Sequence, residues 1–355
     1  MARRGPHGPL AGRRILVLRN DRIGDLVLAL PLMQALHEAG AAVGVLASPY
    51  AAPLLQGDPR VAALLVDGPD AAGRIAAGRF DTALVLWAGW RNAWLAWRAG
   101  IPQRLGPTAR PFSPLFTRRL PLRRSAGWDH ESALNFAFGE ALGLQGPCPA
   151  PRLALPAEAA RAAAGWLRAK GPRGKGPLAA LHPGSRGSAQ PWPVERFAKL
   201  GLELRRRHGA RLLVTGGPGD EAAAADCAAL LGPGTPVCLG LDLPAFAALL
   251  GRADLFVAGS TGPLHLAAAQ GTTVLGLYAP LRAMAPLRWG PRGSRRAVLS
   301  PAGLGFRVRP MEGVNFVQRI SVDEAAAACA FLLEDGGKAE RPASGRSGTR
   351  EKADP

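Results

Sequence analysis

The chain has 355 residues and a mass of 37.0 kDa, and 48% of its side chains are hydrophobic, enough for two domains with sizeable cores. Its net charge of +18 points to an anionic partner, although part of it reflects arginine spread along the whole chain. Cys148, Cys227, Cys238 and Cys329 are scattered and form no CxxC pair, which argues against a disulfide framework or a zinc site and fits a reducing cytoplasm.

The opening "MARRGPHGPLAGRR" is basic but carries no apolar h-region, so no signal peptide is expected. "RILVLR", Arg14 to Arg19, predicts a first strand, followed by the loop "NDRIGD". Leu26 to Gly40 then predicts one helix with Gly40 as its stop. Its apolar run, "LVLALPLM", is too short to span a bilayer. "AVGVLAS" and "DTALVLW" predict further strands. Continuous apolar strands alternating with helices indicate a parallel sheet covered on both faces.

The Pro- and Gly-rich stretch 145–156, "QGPCPAPRLALP", reads as the connection between two domains. A helix, "AEAARAAAGWLRAKG", follows. A second alternating series begins at "PLAALHPGS" and runs through "RFAKLGLELRRRHG", "ARLLVTGGPGD", "EAAAADCAALLG", "DLPAFAALLGRA", "DLFVAGS" and "TVLGLYAP". "SVDEAAAACAFLLED" is a last helix with Ser321 as its N-cap. The predicted organisation is α/β, with Rossmann-like domains at 1–150 and 151–335 facing each other across a cleft. Residues 336–355 hold almost no apolar side chains and are expected to be a disordered tail.

Several polar loops follow strands, where ligands of open α/β folds bind. In "GSTGPLHLAAAQG" a helix starts at a loop containing Ser260, Thr261 and Gly262. Its first amides and dipole favour a phosphate, Gly262 permits close approach, and His265 in the first turn could donate to a phosphate or ribose oxygen. The same residues serve equally well as a simple cap, with Ser260 or Thr261 satisfying the orphan amides. In "LHPGS", Ser185 is placed for donor contact, whereas His182 reads as a buried structural histidine. "GGPGD" lacks the glycine spacing of a dinucleotide fingerprint. After it, Asp220 and Glu221 could accept hydrogen bonds from a ribose or merely complement a helix dipole. "RNDRIGD" places Arg19, Asp21, Arg22 and Asp25 at the mouth of the first strand. Asp25 there is either a general base or a helix N-cap. Two zones, Arg98–Trp128 and Leu255–Met311, contain arginines and no acid, suggesting anionic ligands on both sides of the cleft. No nucleic-acid reader motif accompanies the charge, and no nucleic-acid partner is expected.

Taken in order, three motifs resemble glycosyltransferase family 9, the heptosyltransferase-like enzymes of lipopolysaccharide biosynthesis. They are "RNDRIGDLVLALP", "LHPGSRGSAQPWPVERFAKL" and "GSTGPLHLAAAQGTTVLGLYAP", with "RWGPRG" after them. The resemblance runs to about Leu333. It implies a GT-B fold whose N-terminal half binds the acceptor and whose C-terminal half binds a nucleotide sugar. Asp25 would be the general base of an inverting transfer without metal or other cofactor, and the sequence carries no Asp-x-Asp metal motif. The donor implied is ADP-heptose, held by Ser185, Arg186, Gln190, Asp220, Glu221, Ser260, Thr261, Gly262 and His265. The acceptor implied is an anionic, lipid-linked glycan at the inner face of the cytoplasmic membrane, held by Arg22, Arg104, Arg110, Arg118 and Arg119. Two positions depart from the family pattern: Gln190 stands where a phosphate-binding Lys is usual, and Ser260 where Asp is frequent. Arg186 is the expected substitute cation. The departures leave an alternative, a non-catalytic or altered-donor nucleotide-sugar-binding protein of the same family.

Overall fold

The computed structural model describes residues 9–87, 89–108, 110–122, 124, 129–185, 187, 189–293, 295–301 and 314–334. The N-terminal half runs β1 (Arg14–Leu18), α1 (Ile23–Val27), α2 (Leu30–Glu38), β2 (Ala42–Ala47), β3 (Ala63–Val66), α3 (Ala71–Ala77), β4 (Thr82–Val85), α4 (Trp90–Arg98), β5 (Gln103–Pro107), β6 (Arg118–Leu120) and α5 (Glu131–Glu140). The C-terminal half runs α6 (Ala157–Lys170), β7 (Leu178–His182), α7 (Val194–His208), β8 (Arg211–Thr215), α8 (Glu221–Leu231), β9 (Val237–Cys238), α9 (Leu243–Leu250), β10 (Leu255–Gly259), α10 (Gly262–Ala269), β11 (Thr273–Leu277), α11 (Pro286–Trp289), β12 (Arg296–Leu299) and α12 (Val322–Glu334).

Each half builds one six-stranded parallel sheet. The orders are β3-β2-β1-β4-β5-β6 and β12-β11-β10-β7-β8-β9. Counted from its own first strand, each half has the same order, 3-2-1-4-5-6, so each has a switch point between its first and fourth strands. Leu16 lies beside Gly44 and Ala83, and His182 beside Ala258. Ile15 and Val17 face one helix layer, and Leu16 and Leu18 the other, so every residue of β1 after Arg14 is buried. That explains why the central strands are continuously apolar. One apolar cluster runs without interruption from Leu26, Val27 and Leu54 of the first half to Phe246, Leu264 and Leu266 of the second.

The predicted helix over 26–40 is two helices. Pro31 sits in the first turn of α2, where its missing N–H costs nothing, and the chain turns at Leu28 and Ala29. The break frees the Leu28 carbonyl, which accepts from Asn135 Nδ2 at 3.2 Å. Gly40 stops α2 at φ +89°, and Ser321 caps α12 with its hydroxyl on the Glu324 amide while Glu324 returns to the Ser321 amide. No helix among the described residues is long and apolar enough to cross a membrane. Residues 336–355 lie outside the described residues.

Candidate active site

The loops after β1, β7 and β10 leave from the two switch points, and with the loops after β2, β8 and β9 they wall a cavity of about 780 Å³ between the halves. Arg22, Ser185, Asp220, Glu221, Thr261 and Gly262 are all on its wall, together with Asp21, His182 and the Gly216–Gly217 pair. The first turns of α8 and α10 both reach this cavity; in α10, Pro263 has no N–H and the Leu264 amide donates to Thr261 O at 3.2 Å, which leaves the Gly262 amide as its leading free donor among the described residues. Thr261 holds the N-cap position of α10 but makes no side-chain cap. Its buried Oγ1 has no hydrogen-bond partner among the described residues.

Asp220 is buried at the N-cap of α8, its carboxylate 3.9 Å from His182 Nε2 and 3.4 Å from the Gly217 amide. A Cβ on Gly184 would lie 2.1 Å from its Cγ, so only glycine lets the loop after β7 pass the carboxylate. His182 is buried, its Nδ1 3.0 Å from Thr215 Oγ1, and burial pushes its pKa down despite Asp220. Glu221 accepts from the Gly219 amide at 2.8 Å.

Other predicted donor residues stand elsewhere. Ser260 does not reach the cavity wall, and its hydroxyl hydrogen-bonds the buried Tyr278. Gln190 is also off the wall: its amide donates to Val314 O and accepts from the Phe316 amide, both at 2.8 Å. Both ends of the side chain are thus engaged by backbone, away from the cavity. His265 is buried beneath α1 rather than turned into the cavity, and burial presses it to about 4, leaving a neutral imidazole. Arg186 lies outside the described residues.

The two halves meet where α1 crosses α10. A Cβ on Gly24 would be 2.9 Å from His265 Cδ2, and one on Gly262 would be 3.2 Å from Ile23 Cβ. Beside this crossing lies a buried ionic cluster. Glu131 accepts Arg19 at 3.2 Å, Arg288 at 3.1 Å and Arg124 more closely still. Arg19 also pairs with Asp25 and lies 3.1 Å from Asp21. Three guanidiniums thus face three carboxylates, a balance that offsets the desolvation each would otherwise suffer. Burial lifts the Asp21 carboxyl to about 7, with Arg19 pulling the other way. Asp25 is in the first turn of α1, not at its N-cap, which is Arg22. It lies next in the chain to Gly24 of the cavity wall, while its own carboxylate faces the cluster. His130 Nε2 reaches Gly290 O at 2.9 Å, a further bond across the seam.

Glu131, Arg124, Arg288 and His130 escaped the sequence reading. The only signal was that two of them lie in the acid-free zones. The arginines chosen from those zones do other work. Arg104 donates to the carbonyls of Leu115 and Ile101, and Arg118 to Ala141 O at the end of α5. Both guanidiniums are held by backbone and are not on the cavity wall. Arg110 and Arg119 are exposed, and Arg22, expected on the acceptor side, shares the wall with the donor candidates.

Comparison with known proteins identifies the family and the fold. A Haemophilus influenzae protein described as "Putative glycosyltransferase" is 28% identical over 344 residues, covering 91% of this chain and 97% of its own length. A glycosyltransferase family 9 structure from Veillonella parvula superposes with a TM-score of 0.80 at 23% identity, covering 93% of this chain and 99% of that one. The E. coli ADP-heptose LPS heptosyltransferase II superposes at 0.75 with 21% identity over 91% and 99%. The fold is the GT-B fold of these enzymes. The model of glycosyltransferase family 9 (heptosyltransferase) matches residues 71–303, from α3 through β12, and the chain belongs to that family.

Proposed function

We propose that this protein transfers a heptose from ADP-heptose to an anionic, lipid-linked glycan acceptor of the lipopolysaccharide core type, working at the inner face of the cytoplasmic membrane. The observation that carries the reading is the cavity between the halves, where the first turn of α10 presents Thr261 and Gly262 and the first turn of α8 presents Asp220 and Glu221. Two carboxylates repel a diphosphate and suit ribose hydroxyls, so the diphosphate belongs at α10, whose Gly262 amide and dipole favour negative charge. The Asp25 carboxylate removes the proton from an acceptor hydroxyl. That oxygen attacks the anomeric carbon from the face opposite the diphosphate, the bond to the phosphate oxygen breaks, and ADP leaves with inversion. Countercharge in this reading comes from the start of α10 and Arg186 rather than from a metal or other cofactor.

Asp25→Asn should nearly abolish transfer, by about 10²–10⁴, the usual worth of a general base, while ADP affinity stays within about threefold. Turnover of ADP-heptose on a delipidated core acceptor, with calorimetric ADP binding beside it, is the measurement. Wild-type-like turnover by the Asn variant removes Asp25 from the mechanism, and turnover of another nucleotide sugar instead reassigns the donor. A second reading, binding without transfer or with an altered donor, has one observation in its favour. The position usually held by Lys is Gln190, and it is committed to holding the backbone at 314–316.

A further inference from the structure

Helix α4 is polarised the wrong way for water. Its buried face is Asn92, Ala93, Leu95 and Ala96, while Trp90, Trp94 and Trp97, at spacings i, i+4 and i+7, form one outward stripe. These indoles are 61%, 38% and 50% exposed, and Trp87, just before the helix, is exposed as well. The inward Asn92 is fully satisfied. It donates to Asn20 Oδ1 at 2.6 Å and to Trp87 O at 3.1 Å, and Asn20 donates in turn to Asp67 at 2.6 Å. The helix is therefore fastened to the loop after β1, and its aromatic face is left outward by the way it is anchored. Arg98 borders the stripe, while the Arg91 guanidinium on the same side is held by Asp67 at 2.6 Å and Gly68 O at 3.1 Å. From Thr82 to Trp128 the chain carries eight arginines and no Asp or Glu.

We propose that the Trp90–Trp94–Trp97 face of α4 is the surface by which this protein docks on an anionic phospholipid bilayer. Indoles with an apolar body and a polar N–H settle at the headgroup level, and the Arg98 guanidinium beside them meets lipid phosphate. A second copy of the chain is a poorer occupant, because a two-fold contact through this face would set its arginines against their own images. The docking surface deepens the proposed function by naming what touches the bilayer, and it rests on that reading only for what the bilayer carries. It also moves the membrane contact away from Arg104 and Arg118, whose guanidiniums hold backbone carbonyls.

The test is flotation of the full chain with vesicles of phosphatidylethanolamine and phosphatidylglycerol, against vesicles of phosphatidylcholine alone. The wild type should float with the anionic vesicles, less so as salt rises. The triple variant Trp90→Ser/Trp94→Ser/Trp97→Ser should lose about tenfold or more in partition, as expected when interfacial aromatic area is removed. A control replacing the exposed Leu202, Leu230 and Phe331 with Ser should bind as the wild type does. Because Trp90 also packs edge-on against Phe112, the double variant Trp94→Ser/Trp97→Ser is run beside the triple and should lose most of the same binding. No flotation of the wild type, or undiminished flotation of both variants, overturns the proposal. So does a wild-type dimer in sedimentation velocity that the double variant converts to monomer, which assigns the stripe to a second copy. Vesicle binding without any turnover of ADP-heptose on a soluble acceptor supports the docking surface while removing the sugar reading.

Discussion

At the scale of single residues, what a side chain touches decides its role more than its place in a motif. Gln190 looks like a weakened phosphate ligand, but it is a two-ended backbone clamp on the segment at 314–316. Gln190→Lys, which sequence alone suggests would be neutral or favourable for donor binding, should instead destabilise the fold. Two hydrogen bonds of about 0.5–1.5 kcal/mol each are lost, and the Phe316 amide is left unpaired. A urea titration with an unchanged midpoint would contradict this. The buried imidazoles give the second expectation. His265 is pressed from an ordinary 6.5 to about 4 by burial, and His182 is pushed the same way. Each gains its proton more readily in the unfolded chain. Their contribution to stability is therefore whole above pH 6.5 and is lost as pH falls towards 4, each unit of separation being worth ~1.4 kcal/mol. Melting temperature should fall across that window, and His265→Asn should flatten the fall. An identical slope in the variant would show that His265 does not carry it.

At the scale of elements, the seam depends on how closely α1 and α10 approach. Gly24→Ala puts a methyl 2.9 Å from His265 Cδ2, a buried ring with little room to give. The substitution should cost about 1–3 kcal/mol, as overpacking does. It should also lower turnover more than ADP affinity, because it parts the halves beside Asp25. Scanning fluorimetry and steady-state kinetics check both, and an unchanged melting temperature would mean the crossing relaxes freely. The central strands were legible in the sequence because burial on both faces makes β1, β7 and β10 apolar nearly throughout, and so were most helices of the C-terminal half, whereas α3, α4 and α5 were not. The short strands β3, β5, β6, β9 and β12 were not, being two to five residues long and mostly outer in their sheets. β5 and β6 carry arginines, and β5 ends in Gly106 and Pro107, residues that read as loop. Of the site, the residues in strand-to-helix loops were legible because switch-point geometry fixes where such loops lie. The Glu131 cluster was not. It joins residues 19, 124, 131 and 288, and only the packing of the halves brings them together.

At the scale of the whole molecule, two sheets of identical strand order present their switch points to a shared cavity, and the basic charge lies largely outside it. The ionic cluster at the seam sets three carboxyl groups against three guanidiniums, leaving the surface to carry most of the excess. The continuous apolar cluster through Leu26, Leu54, Phe246 and Leu264 has a consequence for how the chain comes apart. Neither half owns the whole of its inner core, so a cut through the stretch 145–156 would uncover on each fragment side chains that only the other fragment hides. The halves should then melt in one event, which a single calorimetric transition would check, since parting them wets a layer that both of them need dry.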